Sequence, residues 1–131
     1  MWIQFNNNPA GRNVGDCSVR AISKALSVDW ETAYAQLVGS GFLMCDMPSS
    51  DAVWGSVLRR YGFIRESLPD TCPDCYTAED FCMDHPHGIF VLGFGDHVAT
   101  AIDGCLYDSW DSSSRIPQFV WRRRELRTNG L

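Results

Sequence analysis

The spacing of apolar residues changes near Gly88, and this change restricts the folds that the chain can adopt. Before Gly88, apolar residues recur mostly three and four positions apart, a spacing typical of amphipathic helices. After Gly88, short apolar runs alternate with turns rich in glycine and aspartate, a pattern typical of β-strands. Helices followed by hairpin-linked strands predict an α+β fold, in which N-terminal helices pack against a C-terminal antiparallel sheet.

Capping and turn residues predict where these elements begin and end. Asp16, Asp29 and Thr77 are predicted N-caps, the last with Asp80 in a capping box, and Gly39-Ser40-Gly41 is predicted to end the second helix. The predicted helices cover residues 17–26, 30–38 and 51–61, with a short one from Thr77 to His85-Pro86. The predicted strands cover residues 63–66, 89–92, 97–102, 105–108 and 118–121, and residues 2–5 form an extended lead-in.

Length and composition favour one globular domain spanning residues 1–131. The net charge of −5 argues against nucleic acid as a partner. No apolar run approaches the roughly 18 residues that a membrane span needs, and the first residues do not read as a secretion signal. We therefore expect a cytoplasmic protein with no membrane partner. The sequence gives no indication of its oligomeric state.

A cysteine at the start of the first helix is the strongest candidate for chemistry. The Gly15-Asp16 turn places Cys17 in the first helical turn, followed by Val19 and Ile22 at helical spacing. Free backbone N–H groups and the helix dipole favour an anion at this position, which lowers a thiol pKa. Cys17 is therefore a candidate nucleophile.

A cysteine nucleophile needs an imidazole to accept its proton and a carboxylate or amide to orient that imidazole. His97 opens one predicted strand, and Asp108 ends the next, across the Asp103-Gly104 hairpin turn. Such a hairpin brings the two side chains near one end of the sheet. Asp111 is the alternative third member of the triad, and the sequence does not exclude it.

The order of these residues resembles the papain-like cysteine peptidase superfamily, in which a helical Cys precedes a His and an Asn or Asp on strands. The local pattern is more similar still to small phage and prophage proteins of papain-like type. The similar stretches are residues 13–22, from Asn13 to Ile22, with 97–104 and 107–112. The resemblance covers roughly residues 9–113 and implies a papain-like fold with a Cys17–His97–Asp108 triad.

Two further comparisons bear on the reaction. The stretch from Gly15 to Ala21 also resembles the nucleophile motif of ovarian-tumour-type deubiquitinases, which adds isopeptide bonds to the candidate substrates. Papain-like enzymes usually carry a glutamine before the cysteine as an oxyanion donor, and no glutamine lies between Gln4 and Cys17. Asn13 or Arg12 could substitute, together with the Cys17 backbone N–H.

A second cluster of candidate ligands lies between the third helix and the sheet. Cys72-Pro73-Asp74-Cys75 is a single CxxC motif, and Cys82, His85 and His87 follow it. A zinc ion could be held by Cys72, Cys75, Cys82 and either His85 or His87. The alternative interpretation is free thiols that pack a loop.

These observations favour a cysteine hydrolase that cleaves a peptide, isopeptide or related amide bond through an acyl-thioester intermediate. Its substrate would be a protein or peptide, and its catalysis would need no cofactor. The alternative is a catalytically inactive papain-like protein-binding module of phage origin, with a small structural zinc site. A zinc-binding adaptor built on residues 72–87 is a third interpretation. If a phage encodes the chain, the host cytoplasm is the expected location.

Overall fold

The structure, a computed structural model, describes residues 1–71 and 73–124, which form four helices and one six-stranded sheet. The helices are α1 (Cys17–Leu26), α2 (Trp30–Met44), α3 (Asp51–Arg60) and α4 (Ala78–Asp84). The strands are β1 (Trp2–Gln4), β2 (Phe63–Ser67), β3 (Ile89–Gly93), β4 (Val98–Ile102), β5 (Cys105–Asp108) and β6 (Phe119–Arg123). The predicted α+β class is confirmed.

The strands lie in the order β1-β5-β4-β3-β6-β2, and β1 runs parallel to β5 while all other neighbours are antiparallel. The prediction of a purely antiparallel, C-terminal sheet is therefore wrong. The two edge strands, β1 and β2, precede the four others in the chain. The parallel pairing of β1 joins segments about a hundred residues apart, for which a sequence gives no local turn signal.

The sheet is covered on both faces. Helices α1 to α3 pack on one face, where Ile22, Leu37 and Trp54 meet Val91 and Trp121. Helix α4 covers the other face with a second apolar cluster, whose buried members are Ala78, Phe81, Cys82, Leu92, Phe94, Ala99, Ala101, Leu106 and Val120. None of the described helices combines the length and the apolar character needed to cross a membrane.

Helix α2 continues to Met44, so the predicted stop at residues 39–41 is wrong. Gly41 serves close packing rather than termination, because a Cβ at this position would lie 2.7 Å from the Asp46 carbonyl oxygen. The helix ends instead at Cys45, in the left-handed region at φ 55°. The Asp29 cap and the Thr77–Asp80 capping box are both confirmed.

Candidate active site

Three segments that are distant in sequence meet at one end of the sheet. Cys17 is the first residue of α1, His97 immediately precedes β4, and Asp108 is the last residue of β5. The Asp103-Gly104 turn, with positive φ at both residues, joins β4 to β5 as predicted. Thr100 of β4 is fully buried and donates to the Ala21 carbonyl of α1 at 2.8 Å, which holds the helix on the hairpin.

His97 and Asp108 form the closest polar contact of this site. The Nε2 atom of His97 lies 2.6 Å from Asp108 Oδ2. The Asp108 carboxylate is only 1% exposed and also accepts hydrogen bonds from the Ser112 hydroxyl at 2.5 Å and the Ser109 backbone N–H at 2.8 Å. The Ser109 and Ser112 hydrogen bonds thus fix the buried carboxylate beside Nε2 of His97, which leaves Nδ1 for the contact between His97 and Cys17.

The structure also distinguishes Asp108 from the alternative, Asp111, and from two other aspartates near the hairpin. Asp111 is exposed and accepts hydrogen bonds from the backbone N–H and hydroxyl of Ser113. Asp96 is paired with Arg115, and Asp103 accepts from the Gly88 backbone N–H at the hairpin turn. The carboxylate that orients His97 is therefore that of Asp108.

The thiol and the imidazole shift one another's ionisation. Burial alone would raise the pKa of Cys17, but hydrogen bonds from His97 and from the Val98 backbone N–H, with the charges of His97 and Arg20, lower it overall. Burial likewise opposes the charged form of His97, yet its hydrogen bonds and charge attraction to Asp108 and Cys17 raise its pKa to about 9. Both shifts favour a thiolate–imidazolium pair at neutral pH.

A buried chain of charges, which the sequence analysis did not identify, extends behind this pair. Arg20 is 5% exposed and donates to Asp16, four residues earlier on α1, and also to Asp108 Oδ1 at 3.5 Å. Asp16 is itself only 6% exposed. The Asp16–Arg20 spacing of four residues was a usable signal, but only for a contact on one helix face. The link from Arg20 to Asp108 depends on the tertiary fold.

Asp16 occupies the N-cap position, but its side chain makes no capping hydrogen bond, contrary to the prediction. Its carboxylate accepts instead from Trp30 Nε1 at 2.9 Å and from Asn8 Nδ2 at 3.3 Å, besides Arg20. The first backbone N–H bonded within the helix is that of Arg20, to the Asp16 carbonyl. The preceding N–H groups, from Cys17 to Val19, thus keep the free donors expected at a helix start.

The two side chains predicted as oxyanion donors lie outside the cleft that holds Cys17. Asn13 and Arg12 are both exposed, and neither lines the cleft that contains Cys17 and His97. The Arg12 backbone N–H is bound to the Asn8 side chain within the preceding loop, and the residue borders a neighbouring groove. Backbone N–H groups are therefore the remaining candidate donors: that of Val98 is bonded to the Cys17 sulfur, and those at the start of α1 are free.

An open cleft of about 350 Å³ gives access to the sulfur. Its lining includes Cys17, His97, Trp54, Asp51 and Asp96, with parts of both glycine-containing turns at residues 15 and 95. Trp110 lies against the His97 ring, with centroids 4.8 Å apart, and covers part of the imidazole. The site therefore combines a partly covered imidazole with a thiol that the cleft makes accessible.

The predicted zinc ligands are not gathered by the described part of the chain. Cys75 is exposed, whereas Cys82 lies on α4 and is buried against the sheet, and His85 Nδ1 lies 2.8 Å from the Phe81 carbonyl. Within residues 1–71 and 73–124, no group of three or more His, Cys, Asp and Glu side chains could hold a metal ion. Cys72 lies outside the described residues, so the zinc site stays a prediction.

No protein family model, no curated protein and no solved structure matches this chain.

Proposed function

We propose that the chain is a cysteine hydrolase of papain-like type, which cleaves a peptide, isopeptide or related amide bond. The observation that carries this proposal is that Cys17 contacts His97, which in turn contacts the buried Asp108. Cys17 lies at a helix start and lines an open cleft. A papain-like fold, related to that of the small phage proteins, is part of the proposal. Support for it comes from a nucleophile helix packed on the hairpin that carries His and Asp.

In the proposed reaction, the Cys17 thiolate attacks the substrate carbonyl carbon, and a C–S bond forms as the carbonyl oxygen becomes an oxyanion. The N–H groups at the start of α1 stabilise this charge. The His97 imidazolium then gives its proton to the leaving nitrogen, the C–N bond breaks, and an acyl-thioester remains. His97 next deprotonates a water molecule that attacks the thioester. The C–S bond breaks, and the acid and the thiolate are released.

Asp108 would hold His97 in the orientation that this sequence of proton transfers requires. Its contact with Nε2 keeps a proton on that nitrogen, so that Nδ1 is the atom that exchanges a proton with sulfur, substrate and water. The five described cysteines are all free thiols, which suits a reducing compartment. We therefore place the protein in the cytoplasm as part of the same proposal.

The proposal is tested by the pH dependence of Cys17 alkylation with iodoacetamide, measured cysteine by cysteine by mass spectrometry. Because the pKa of Cys17 is lowered, Cys17 in the native protein should react at pH 6 faster than the same residue in urea-unfolded protein. Cys82, whose pKa is raised by burial, should show the opposite order. A native Cys17 that reacts more slowly than in the unfolded chain would favour the inactive binding module.

The choice between Asp108 and Asp111 gives a second prediction. Asp108→Asn keeps the side-chain shape but removes the charge that holds the His97 proton. We therefore expect Cys17 alkylation at pH 6 to slow by at least about tenfold, in line with the contribution of a positioned acid–base group. Asp111→Asn, at an exposed position whose carboxylate accepts hydrogen bonds from Ser113, should leave the rate unchanged. Equal effects of the two substitutions would contradict the assignment of Asp108.

A further inference from the structure

An apolar groove meets the catalytic cleft at the nucleophile. It has a volume of about 390 Å³, and its apolar lining comes from Val14, Val19, Trp30, Tyr34 and Pro48. The groove shares Gly15, Ser18 and Ser49 with the cleft that contains Cys17, so the two form one continuous depression.

Ring stacking and a hydrogen bond hold one wall of this groove in place. Trp30 and Tyr34 stack with ring centroids 4.9 Å apart, one helical turn from each other on α2. The Trp30 indole N–H is bound to the buried Asp16 carboxylate, which fixes the ring in place. Tyr34 is 46% exposed, so this aromatic surface is open to a ligand.

The proposed reaction determines the direction in which a substrate would lie across the cleft and the groove. The leaving nitrogen must lie near His97, because the imidazolium protonates it. The carbonyl oxygen must face the N–H groups at the start of α1. The acyl part of the substrate then extends away from His97. Of the described residues, none from Gly95 to Val98 lines the groove, whereas Gly15 and Ser18 do.

We propose that this groove is the subsite for the acyl side of the substrate and that it binds an apolar side chain of an extended peptide. Its occupant is the segment on the carbonyl side of the scissile bond, placed against Trp30 and Tyr34. This inference rests on the proposed function, since it needs a nucleophilic Cys17 to define the direction of the substrate. It goes further by assigning the specificity to α2 and the loop before α1.

Peptidyl chloromethyl ketones test the groove, because the thiolate displaces chloride from the methylene carbon while the peptide occupies the acyl side. The pair to compare is acetyl-Leu-Leu- and acetyl-Asn-Asn-chloromethyl ketone, whose side chains match in shape and differ in polarity. We expect Cys17 to react about tenfold or more faster with the dileucyl reagent, as burial of apolar side chains predicts.

Substitutions in the groove should remove this preference without affecting the thiol. Tyr34→Asn should bring the dileucyl rate down to that of the diasparaginyl reagent and leave the iodoacetamide rate unchanged. Tyr61→Asn is the matched control, because Tyr61 is equally exposed, at 45%, and lies outside the groove.

The outcomes separate this inference from the proposed function. A Cys17 that reacts rapidly with iodoacetamide but shows no preference for the dileucyl reagent would overturn the groove assignment alone. A preference that persists in Tyr34→Asn would also overturn it. A Cys17 that is inert to iodoacetamide in native protein would overturn the proposed function, and the subsite with it.

Discussion

His97→Ala is expected to slow iodoacetamide alkylation of Cys17 at pH 6 by at least about tenfold, in line with the usual contribution of an acid–base partner. The substitution removes both a hydrogen bond and a positive charge from the sulfur, and these are major influences that lower the pKa of Cys17. Burial, which acts in the opposite direction, remains. The thiol should therefore stay protonated at pH 6 in the variant.

The size of the effect also depends on pH. In the wild type, His97 has a pKa of about 9, so the imidazolium supports the thiolate throughout the neutral range and ceases to do so above that value. The ratio of wild-type to His97→Ala rates should accordingly be largest at acidic pH and shrink above pH 9. His87→Ala, at an exposed histidine outside the cleft, is the matched control. A ratio that does not change with pH would contradict a thiolate–imidazolium pair.

The sequence predicted those elements whose signals are local. Helix α1 and strand β5 occur with the predicted bounds, and α4 begins at the predicted capping box, because caps, turns and apolar spacing act over a few residues. The parallel pairing of β1 and the continuation of α2 through Gly41 were missed. The first depends on a distant strand that β1 meets only in the folded chain, and the second on the close approach of Gly41 to the Asp46 carbonyl, which apolar spacing and glycine content do not report.

The same distinction applies to the site. The structure brings Cys17, His97 and Asp108 together, because a helix start and a two-residue hairpin turn fix their positions. Burial decides between Asp108 and Asp111, and a sequence does not report burial at a strand end. The sequence does not mark Arg20, because a charged residue next to Val19 on an amphipathic helix is usually exposed, whereas the fold buries this one.

Asp16 connects the Cys17–His97–Asp108 site to the apolar groove. One carboxylate oxygen binds Arg20, which contacts Asp108, and the other binds the Trp30 indole of the apolar groove. A residue first interpreted as a helix cap therefore connects the orientation of His97 to the wall of the groove. This arrangement also leaves the first N–H groups of α1 free of a side-chain cap beside the sulfur.

Arg20→Met is expected to lower the free energy of unfolding by about 3–5 kcal/mol, the usual cost of removing one partner from a buried ion pair. Methionine fills a similar volume, so the loss comes from the two carboxylates, Asp16 and Asp108, which stay buried without their guanidinium. Chemical denaturation should show this change, and the thermal midpoint should fall by about 10–20 °C. Arg115→Met, which breaks the exposed pair with Asp96, should leave both almost unchanged.

A double-mutant cycle with Asp16→Asn separates charge from packing in this prediction. If unpaired charge causes the loss, Asp16→Asn should lower the free energy of unfolding less in Arg20→Met than in the wild type. The difference between the two, the coupling energy, should be about 0.5–3 kcal/mol. Simple addition of the two effects would instead indicate lost packing. Arg20 also lowers the pKa of Cys17, so Arg20→Met, studied well below its melting temperature, should alkylate more slowly at pH 6. An Arg20→Met protein as stable as Arg115→Met would show that the Asp16–Arg20–Asp108 chain is not desolvated.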